Sequence, residues 1–147
     1  MSEIVGQAVL EKSVASLVAA SDNPELIATL IPGCDGLHRI DAEHLEGRLA
    51  TQVSGIPIEA AISIRRTVEV LDDGVTRLHL RLKVRPDFGG HAIVVALIDL
   101  TEASPTSSNA SWRTSTELDP MLAVMAGQRV EEFLRSSIDH LIAGLAN

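Results

Sequence analysis

Aromatic residues are scarce in this sequence: its 147 residues include two Phe, one Trp and no Tyr, although 46% of the chain is hydrophobic. The interior must therefore be built from Leu, Ile, Val and Ala side chains. A core of small aliphatic residues with so few rings at its centre is expected to leave space inside the fold. A single tryptophan, Trp112, also gives nucleic acid bases no series of rings on which to stack.

Positive charge is scarce as well. Twenty Asp and Glu residues against 12 Lys and Arg give a net charge of −8, which argues against a nucleic acid partner, because affinity for phosphate depends on clustered basic side chains. No window reaches the ~18 consecutive apolar residues of a membrane span, and the first residues do not resemble a signal peptide. We therefore predict a soluble, cytoplasmic protein, and the length indicates a single domain over residues 1–147.

Cysteine occurs once, at Cys34, so an internal disulfide and a thiolate metal cage are excluded. A catalytic thiol needs a base, and His38 is expected on a strand that leaves the turn. We interpret Cys34 as a small apolar residue that fills this turn. The histidines occur singly, without the spacing of metal ligands, and there is no Gly-x-Ser-x-Gly elbow or glycine-rich phosphate loop. The residues predict no catalytic group, no metal and no cofactor.

Hydrophobic periodicity predicts the first elements of the fold. Alternation from Ile4 indicates a strand of about eight residues. A short helix follows, with Ser13 as its N-cap and its end near Ser21. A second helix begins at Pro24, where proline suits the first helical position, and ends at Pro32-Gly33.

From residue 38 onward the apolar period changes to two, which is typical of antiparallel strands with one face in water. Asp72-Asp73-Gly74 predicts a hairpin turn, Glu102 to Asn109 is predicted as a loop, and Pro120 to Ala146 is predicted as the one long helix. This order indicates an α+β fold in which a curved antiparallel sheet of about seven strands wraps around the C-terminal helix. The gap between sheet and helix is the default ligand site.

Two segments carry a resemblance to a known family, ELIATLIPGCDGL and VSGIPIEAAISIRRTVEVLDDG. The first contains the turn Pro32-Gly33-Cys34 and the second the strand-pair turn Gly55 to Pro57. With the order of elements, they resemble the CoxG family of aerobic carbon monoxide dehydrogenase, within the START/SRPBCC helix-grip superfamily. Asp119-Pro120 stands where relatives tend to have glycine before the last helix.

The resemblance implies a non-catalytic accessory protein that binds a hydrophobic molecule, a quinone or a lipid. It also implies that the protein helps to bring a molybdenum hydroxylase to the membrane, with a peripheral contact at the inner face of the cell membrane. We expect the apolar ligand in a cavity lined by Leu49, Ile62, Leu80, Leu82, Trp112, Met121, Met125 and Phe133.

Arg66 is the polar candidate for this cavity. Alternation from Ile56 puts it on the inward face, where it could anchor a ligand carbonyl or carboxylate. A bulge at Arg65-Arg66-Thr67 would instead turn it to solvent, and the rarity of buried arginine favours this exposed orientation.

Two other functions stay open. An enzyme of the cyclase or hydrolase kind would need acid–base groups in the cavity, for which Asp99 or His91 are candidates because both share a strand face with Ile93 and Leu97. Alternatively, the two-sided apolar strand Ile93 to Leu100 could form the interface of a homodimer.

Overall fold

The computed structural model describes residues 2–31, 33–53 and 55–145. For eleven of these only the backbone is described, namely Ser2, Ile4, Val53, Ile56, Met125, Ala126, Gly127, Gln128, Val130, Glu131 and Leu134. The chain begins with strand β1, Ser2–Leu10, and continues with helices α1, Val14–Ser21, and α2, Pro24–Leu30.

Both short helices begin where the sequence predicts. The Ser13 side chain accepts a hydrogen bond from the Ser16 N–H at 3.1 Å. The Asn23 Oδ1 atom accepts from the N–H groups of Glu25 and Leu26 at 3.1 and 3.3 Å. These side chains satisfy backbone donors that the first turn of a helix leaves without partners.

Six further strands and one long helix complete the chain. They are β2 Cys34–Arg39, β3 His44–Val53, β4 Ile56–Val70, β5 Thr76–Pro86, β6 Ala92–Ser104, β7 Ser107–Leu118 and the 26-residue helix α3 Pro120–Leu145.

The seven strands form one sheet in the order β1-β7-β6-β5-β4-β3-β2, and every neighbouring pair is antiparallel. Helix α3 contacts β7 and β6, which lie toward one edge of the sheet, and also β3, which lies toward the other edge. The sheet must therefore curve around the helix. The predicted fold class is confirmed.

The predicted turn at Asp72-Asp73-Gly74 joins β4 to β5. Gly74 has φ +82°, a conformation that residues with a Cβ rarely adopt, and the Leu71 N–H donates to the Val75 carbonyl at 2.8 Å. A strand pair of eleven matched positions follows from this turn without a register shift.

The predicted loop from Glu102 to Asn109 was too long. Strand β6 continues to Ser104 and β7 begins at Ser107, so that Thr101 pairs with Asn109. The Ser- and Thr-rich composition suggested a loop, but outward-facing polar residues are compatible with an antiparallel strand. The one buried serine of this stretch, Ser108, donates its hydroxyl proton to the Lys12 carbonyl at 2.6 Å.

The core lies between the concave face of the sheet and the helices. The inward rows of β5 and β6 are almost entirely excluded from solvent, and α3 contributes a buried stripe in its second half. The buried residues of these three elements are Leu78, Leu80, Leu82, Val84, Ala92, Val94, Ala96, Ile98, Leu100, Leu122, Ser137, Ile138, Leu141, Ile142 and Leu145.

Candidate ligand-binding site between the sheet and the helices

Arg66 points into the protein, so the expectation that it is exposed was wrong. The register between β4 and β5 is regular, Arg66 pairs with Leu80, and no bulge turns the strand. The Arg66 side chain is 12% exposed, whereas its neighbour Arg65 is 56% exposed. The alternation of the strand continues through this position, because the charge finds partners on α1.

The guanidinium group of Arg66 binds the last turn of α1. Its Nε atom donates to the Ser21 hydroxyl oxygen at 2.9 Å, and Nη2 donates to the Val18 carbonyl at 2.9 Å. The last carbonyls of a helix lack backbone donors within it, and the Val18 carbonyl also accepts a hydrogen bond from the Ser21 hydroxyl at 2.6 Å. The third nitrogen, Nη1, lies 3.6 Å from Asp22 Oδ1, beyond good hydrogen-bond distance.

Asp22 is shared between two arginines. Arg39 Nη2 lies 2.8 Å from Asp22 Oδ1 and donates to the Asp22 carbonyl at 2.7 Å. Burial lowers the pKa of the Arg66 guanidinium, the Asp22 carboxylate partly offsets this, and Arg39 lowers it further. Arginine stays protonated in proteins, so the three groups together carry one net positive charge.

Arg66 closes one side of a small apolar cavity. The cavity volume is about 10 Å³, which is room for about one water molecule. Arg66 is the one charged residue among those that line it, namely Ser21, Ile27, Ile31, Leu45, Ile64, Arg66, Leu80, Leu82 and Leu141. The space expected between sheet and helix is nearly closed among the described residues, because aliphatic side chains from both layers fill it.

Three of the nine residues predicted to bind ligand line this cavity: Arg66, Leu80 and Leu82. Leu49 and Ile62 are buried elsewhere in the same core, with 2% exposure each. The sequence did not single out the other six lining residues. Leu45 and Ile64 lie on the inward faces of β3 and β4, and the remaining four belong to the helices or their ends, because periodicity predicts which face of a helix is apolar but not which helices meet.

The predicted aromatic and methionine positions do not gather at the cavity. Phe133 and Trp112 are half-buried and pack against the core, and Met121 is 40% exposed at the start of α3. The side chain of Met125 lies outside the described part of the structure.

Trp112 lies on the inward face of β7 and covers Gly6 of β1. A Cβ atom at Gly6 would lie 2.5 Å from the indole ring, so no larger residue fits there without movement. The ring therefore packs over the edge strand.

Asp99 and His91 do not face the interior. Asp99 lies on the outer face of β6, where its carboxylate binds Arg77 through contacts of 2.7 and 3.0 Å. The His91 side chain is 43% exposed and lies 3.6 Å from Asp119. The sequence grouped both residues correctly with Ile93 and Leu97, but that face is the solvent face. The enzyme hypothesis loses its two candidate acid–base groups.

The outward apolar row of β6, formed by Ile93, Val95 and Leu97, is half-buried. Charged residues flank it, because Lys83 pairs with Ile93 on one side and Arg113 pairs with Leu97 on the other. The aliphatic stems of long basic side chains can cover such a row. The half-burial of this row therefore needs no second chain.

Asp119 caps the start of α3 and fixes it to His91, the residue that directly precedes β6. Its Oδ1 atom accepts from the Leu122 N–H at 2.9 Å, and its Oδ2 atom accepts from the His91 N–H at 2.7 Å. These hydrogen bonds, with that of Leu122 first, lower the pKa of the Asp119 carboxyl. Asp119 thus acts as the N-terminal cap of α3.

Cys34 is half-buried, and its Sγ atom lies 3.7 Å from the Gly36 carbonyl. Burial raises the pKa of this thiol, which is the opposite of what an activated cysteine requires. Over the described residues, no three His, Cys, Asp or Glu side chains come together as metal ligands would. None of the helices in that part of the chain has the length and apolar character needed to span a bilayer.

Two larger depressions of about 500 and 530 Å³ are formed by described residues. Asp99, Asn109 and Ser111 line the first, and Gln52, Glu59 and Asp87 line the second. These residues belong to the outer face or to turns, and both depressions open widely to water. A small-molecule site normally buries most of its ligand, so we place the candidate site at the interior cavity.

The fold and the interior define the class of protein: a helix-grip domain with an aliphatic core and one inward arginine. The sequence matches the family of the CoxG component of carbon monoxide dehydrogenase over residues 6–147. The chain belongs to this family, as the sequence segments predicted. A comparison with curated proteins finds no match.

Solved structures share the fold at low sequence identity. A conserved protein from Geobacillus kaustophilus has a TM-score of 0.77 and 15% identity, with 99% of this chain and 93% of that chain covered. A STAR-related lipid transfer protein from Xanthomonas axonopodis has a TM-score of 0.57 and 15% identity, with 99% and 86% covered. The Zhui aromatase/cyclase from Streptomyces has a TM-score of 0.61 and 11% identity, with 98% and 91% covered. The START-type fold predicted from sequence is confirmed.

Proposed function

We propose that this chain is a non-catalytic accessory protein that binds one apolar molecule, a quinone or a lipid, between its sheet and α3. Through this molecule it assists the membrane recruitment of, or electron transfer from, a molybdenum hydroxylase. The observation that carries the proposal is the match to the CoxG family of carbon monoxide dehydrogenase over nearly the whole chain.

The composition of the interior supports an apolar ligand. Small buried side chains lie on the concave face of β6 and β7, which α3 contacts: Ala92, Ala96 and Ala110 are each at most 2% exposed. With Arg66 as the one charged residue around the cavity, the interior suits a molecule whose body is hydrocarbon.

Binding requires the cavity to expand. A pocket for a small molecule has a volume of roughly 300–1,000 Å³, and the cavity now measures about 10 Å³. Ile27 of α2, Ile31 just after α2 and Leu141 of α3 line it opposite the sheet. The expansion that this proposal requires is therefore a separation of α2 from α3, or of both helices from β4 and β5.

Exposed apolar side chains at the start of α3 and in the turn between β5 and β6 support a peripheral contact with a membrane or partner. Phe88, Met121 and Val124 are 51%, 40% and 87% exposed. Phe88 and Met121 belong to one end of the molecule, because a Cβ atom at Gly89 would lie 3.2 Å from Met121 Cε.

Tryptophan fluorescence tests ligand binding directly, because Trp112 is the one tryptophan of the chain and packs against the core. We expect saturable quenching by a quinone such as menadione, with one site per chain. The same titration of the urea-unfolded protein corrects for collisional quenching and light absorption. Linear, non-saturable quenching identical in folded and unfolded protein would contradict the proposal.

An enzyme of the cyclase or hydrolase kind is the second candidate, favoured by the solved aromatase/cyclase of the same fold. Such an enzyme would have to use Arg66 rather than Asp99 or His91, which lie outside the cavity. Turnover that survives Arg66→Met would contradict this assignment.

A further inference from the structure

Arg66 is a charged side chain in a cavity wall that is otherwise almost entirely aliphatic. A charge taken from water into an aliphatic environment costs free energy unless its partners compensate. Replacement of buried ionic groups by apolar residues of similar volume is often neutral or stabilising. Stability alone therefore does not account for an arginine at this position, where, apart from Ser21, leucine and isoleucine form the rest of the cavity wall.

The partners of Arg66 leave one end of its guanidinium group available. Nε and Nη2 donate to α1, while Nη1 makes no hydrogen bond within the part of the chain that the structure describes. Its nearest carboxylate, Asp22, has a side chain that is 50% exposed and already binds Arg39 at 2.8 Å. Neutralisation of Arg66 by Asp22 is thus incomplete.

We infer that Arg66 is the head-group site of the cavity: it binds the acceptor oxygen of a ligand whose remaining body is apolar. This inference rests on the proposed function and specifies its ligand class as a quinone carbonyl or a lipid carboxylate. Both offer an oxygen atom with lone pairs, which can accept hydrogen bonds from the planar N–H donors of an arginine guanidinium group. The ligand body then lies against Leu80, Leu82 and Leu141, which are apolar and line the same cavity.

The net charge of Arg66 and its two charged neighbours should determine which ligand head groups bind at this site. Arg66, Arg39 and Asp22 sum to one positive charge, although the whole chain carries −8. An ammonium head group would meet repulsion at this point, and a hydrocarbon end would leave Nη1 without an acceptor. The site should therefore distinguish ligands by their head group more than by their chain.

Two matched pairs of probes test this inference, and within each pair only the head group differs. One pair is menadione and 2-methylnaphthalene; the other is dodecanoate and dodecylamine. Affinities come from displacement of the neutral apolar dye N-phenyl-1-naphthylamine. We expect wild-type protein to bind the oxygen-bearing member of at least one pair about tenfold more tightly, as a hydrogen bond to a charged group supplies. The pair that shows this preference indicates whether the natural ligand presents a quinone carbonyl or a lipid carboxylate.

The variant Arg66→Met should reduce this preference to twofold or less while it retains dye binding. Arg65→Met is the matched control, because the neighbouring side chain is exposed on the other face, and it should keep the wild-type preference. If Arg66→Met does not fold by circular dichroism, Arg66→Lys, which keeps the charge but loses the fork, should show an intermediate preference.

Equal affinity for both members of each pair in wild-type protein would overturn the inference alone. A preference that persists in the Arg66 variant would do the same. Failure of the wild type to bind the dye and all four probes would overturn the proposed function together with the inference.

Discussion

At the scale of single residues, the orientation of Arg66 shows most clearly what the sequence leaves open. The strand pattern alone allowed both orientations, because a one-residue bulge reverses the face. The choice depends on the Ser21 hydroxyl and the Val18 carbonyl, 45 and 48 residues away in sequence. Such a long-range contact leaves no local signal, so the sequence could name the residue but not its partners.

Cys34 provides a residue-scale prediction about reactivity. Burial raises its pKa, so a smaller fraction of thiolate is present at any given pH than in an accessible cysteine. Alkylation by iodoacetamide should follow a pH profile whose midpoint lies above the value of about 8.5 for free cysteine. The urea-unfolded chain, with the same cysteine in water, is the control. A midpoint below that of the unfolded chain would show an activated thiol and contradict this account.

Asp119 provides a prediction about pH. Its folded pKa is depressed by the hydrogen bonds from Leu122 and His91, so its contribution to stability is present above the unfolded value of about 3.9 and is lost as pH falls through the lower folded value. Asp119→Asn keeps a capping oxygen without the charge. The melting temperature of the variant should lie below that of wild type at neutral pH.

The difference between the two proteins should shrink as the pH falls from about 4 through the lower folded pKa of Asp119, where the wild-type carboxylate becomes protonated. Thermal unfolding followed by circular dichroism from neutral pH to about pH 2.5 checks this range. A difference that is constant across the whole range would show that the charge of Asp119 contributes nothing.

At the scale of elements, alternation and capping residues predicted most helices and strands, and contacts between elements decided the rest. Ser13 caps the first short helix and Pro24 begins the second, as expected. The loop between β6 and β7 was predicted too long, because serine and threonine occur both in loops and on the solvent face of strands. The strand ladder depends on pairing across the whole hairpin, which composition does not encode.

The contact between β1 and β7 yields a prediction at this scale. The valine side chain of Gly6→Val would clash with the indole ring of Trp112, since even a Cβ atom would lie 2.5 Å from the ring. Overpacking of this kind costs ~1–3 kcal/mol, measurable by urea denaturation, and the emission of Trp112 should shift. Val5→Ala is the control, because Val5 is 70% exposed and its change should stay within about 0.5 kcal/mol. A Gly6 variant as stable as wild type would contradict the described packing.

At the scale of the whole molecule, sheet and helices enclose an interior that is nearly full. The aliphatic composition predicted space inside the fold, whereas Leu, Ile and Arg66 reduce it to about 10 Å³ among the described residues. Volume depends on how layers approach each other, and sequence patterns report only which faces are apolar. The superfamily and the element order were therefore predictable, and the extent of the cavity was not.

Enlargement of the cavity should lower the free energy of unfolding and increase the affinity for an apolar ligand. Leu141→Ala removes one wall of the cavity and should cost about 2–5 kcal/mol, while the affinity for an apolar dye increases. Leu100→Ala is the matched control, because Leu100 is buried to a similar extent but does not line the cavity. It should show a similar loss of stability in urea without a gain in dye affinity. An equal gain in both variants would mean that loosening of the core, not this cavity, admits the dye.

The most direct test of the central claim is native mass spectrometry of the protein purified from its own host, followed by organic extraction and identification of bound molecules. We expect one apolar molecule per chain that carries a carbonyl or carboxylate oxygen at one end, and we expect its loss in the Arg66→Met variant. An empty protein that also fails to bind added quinones and lipids would contradict the claim.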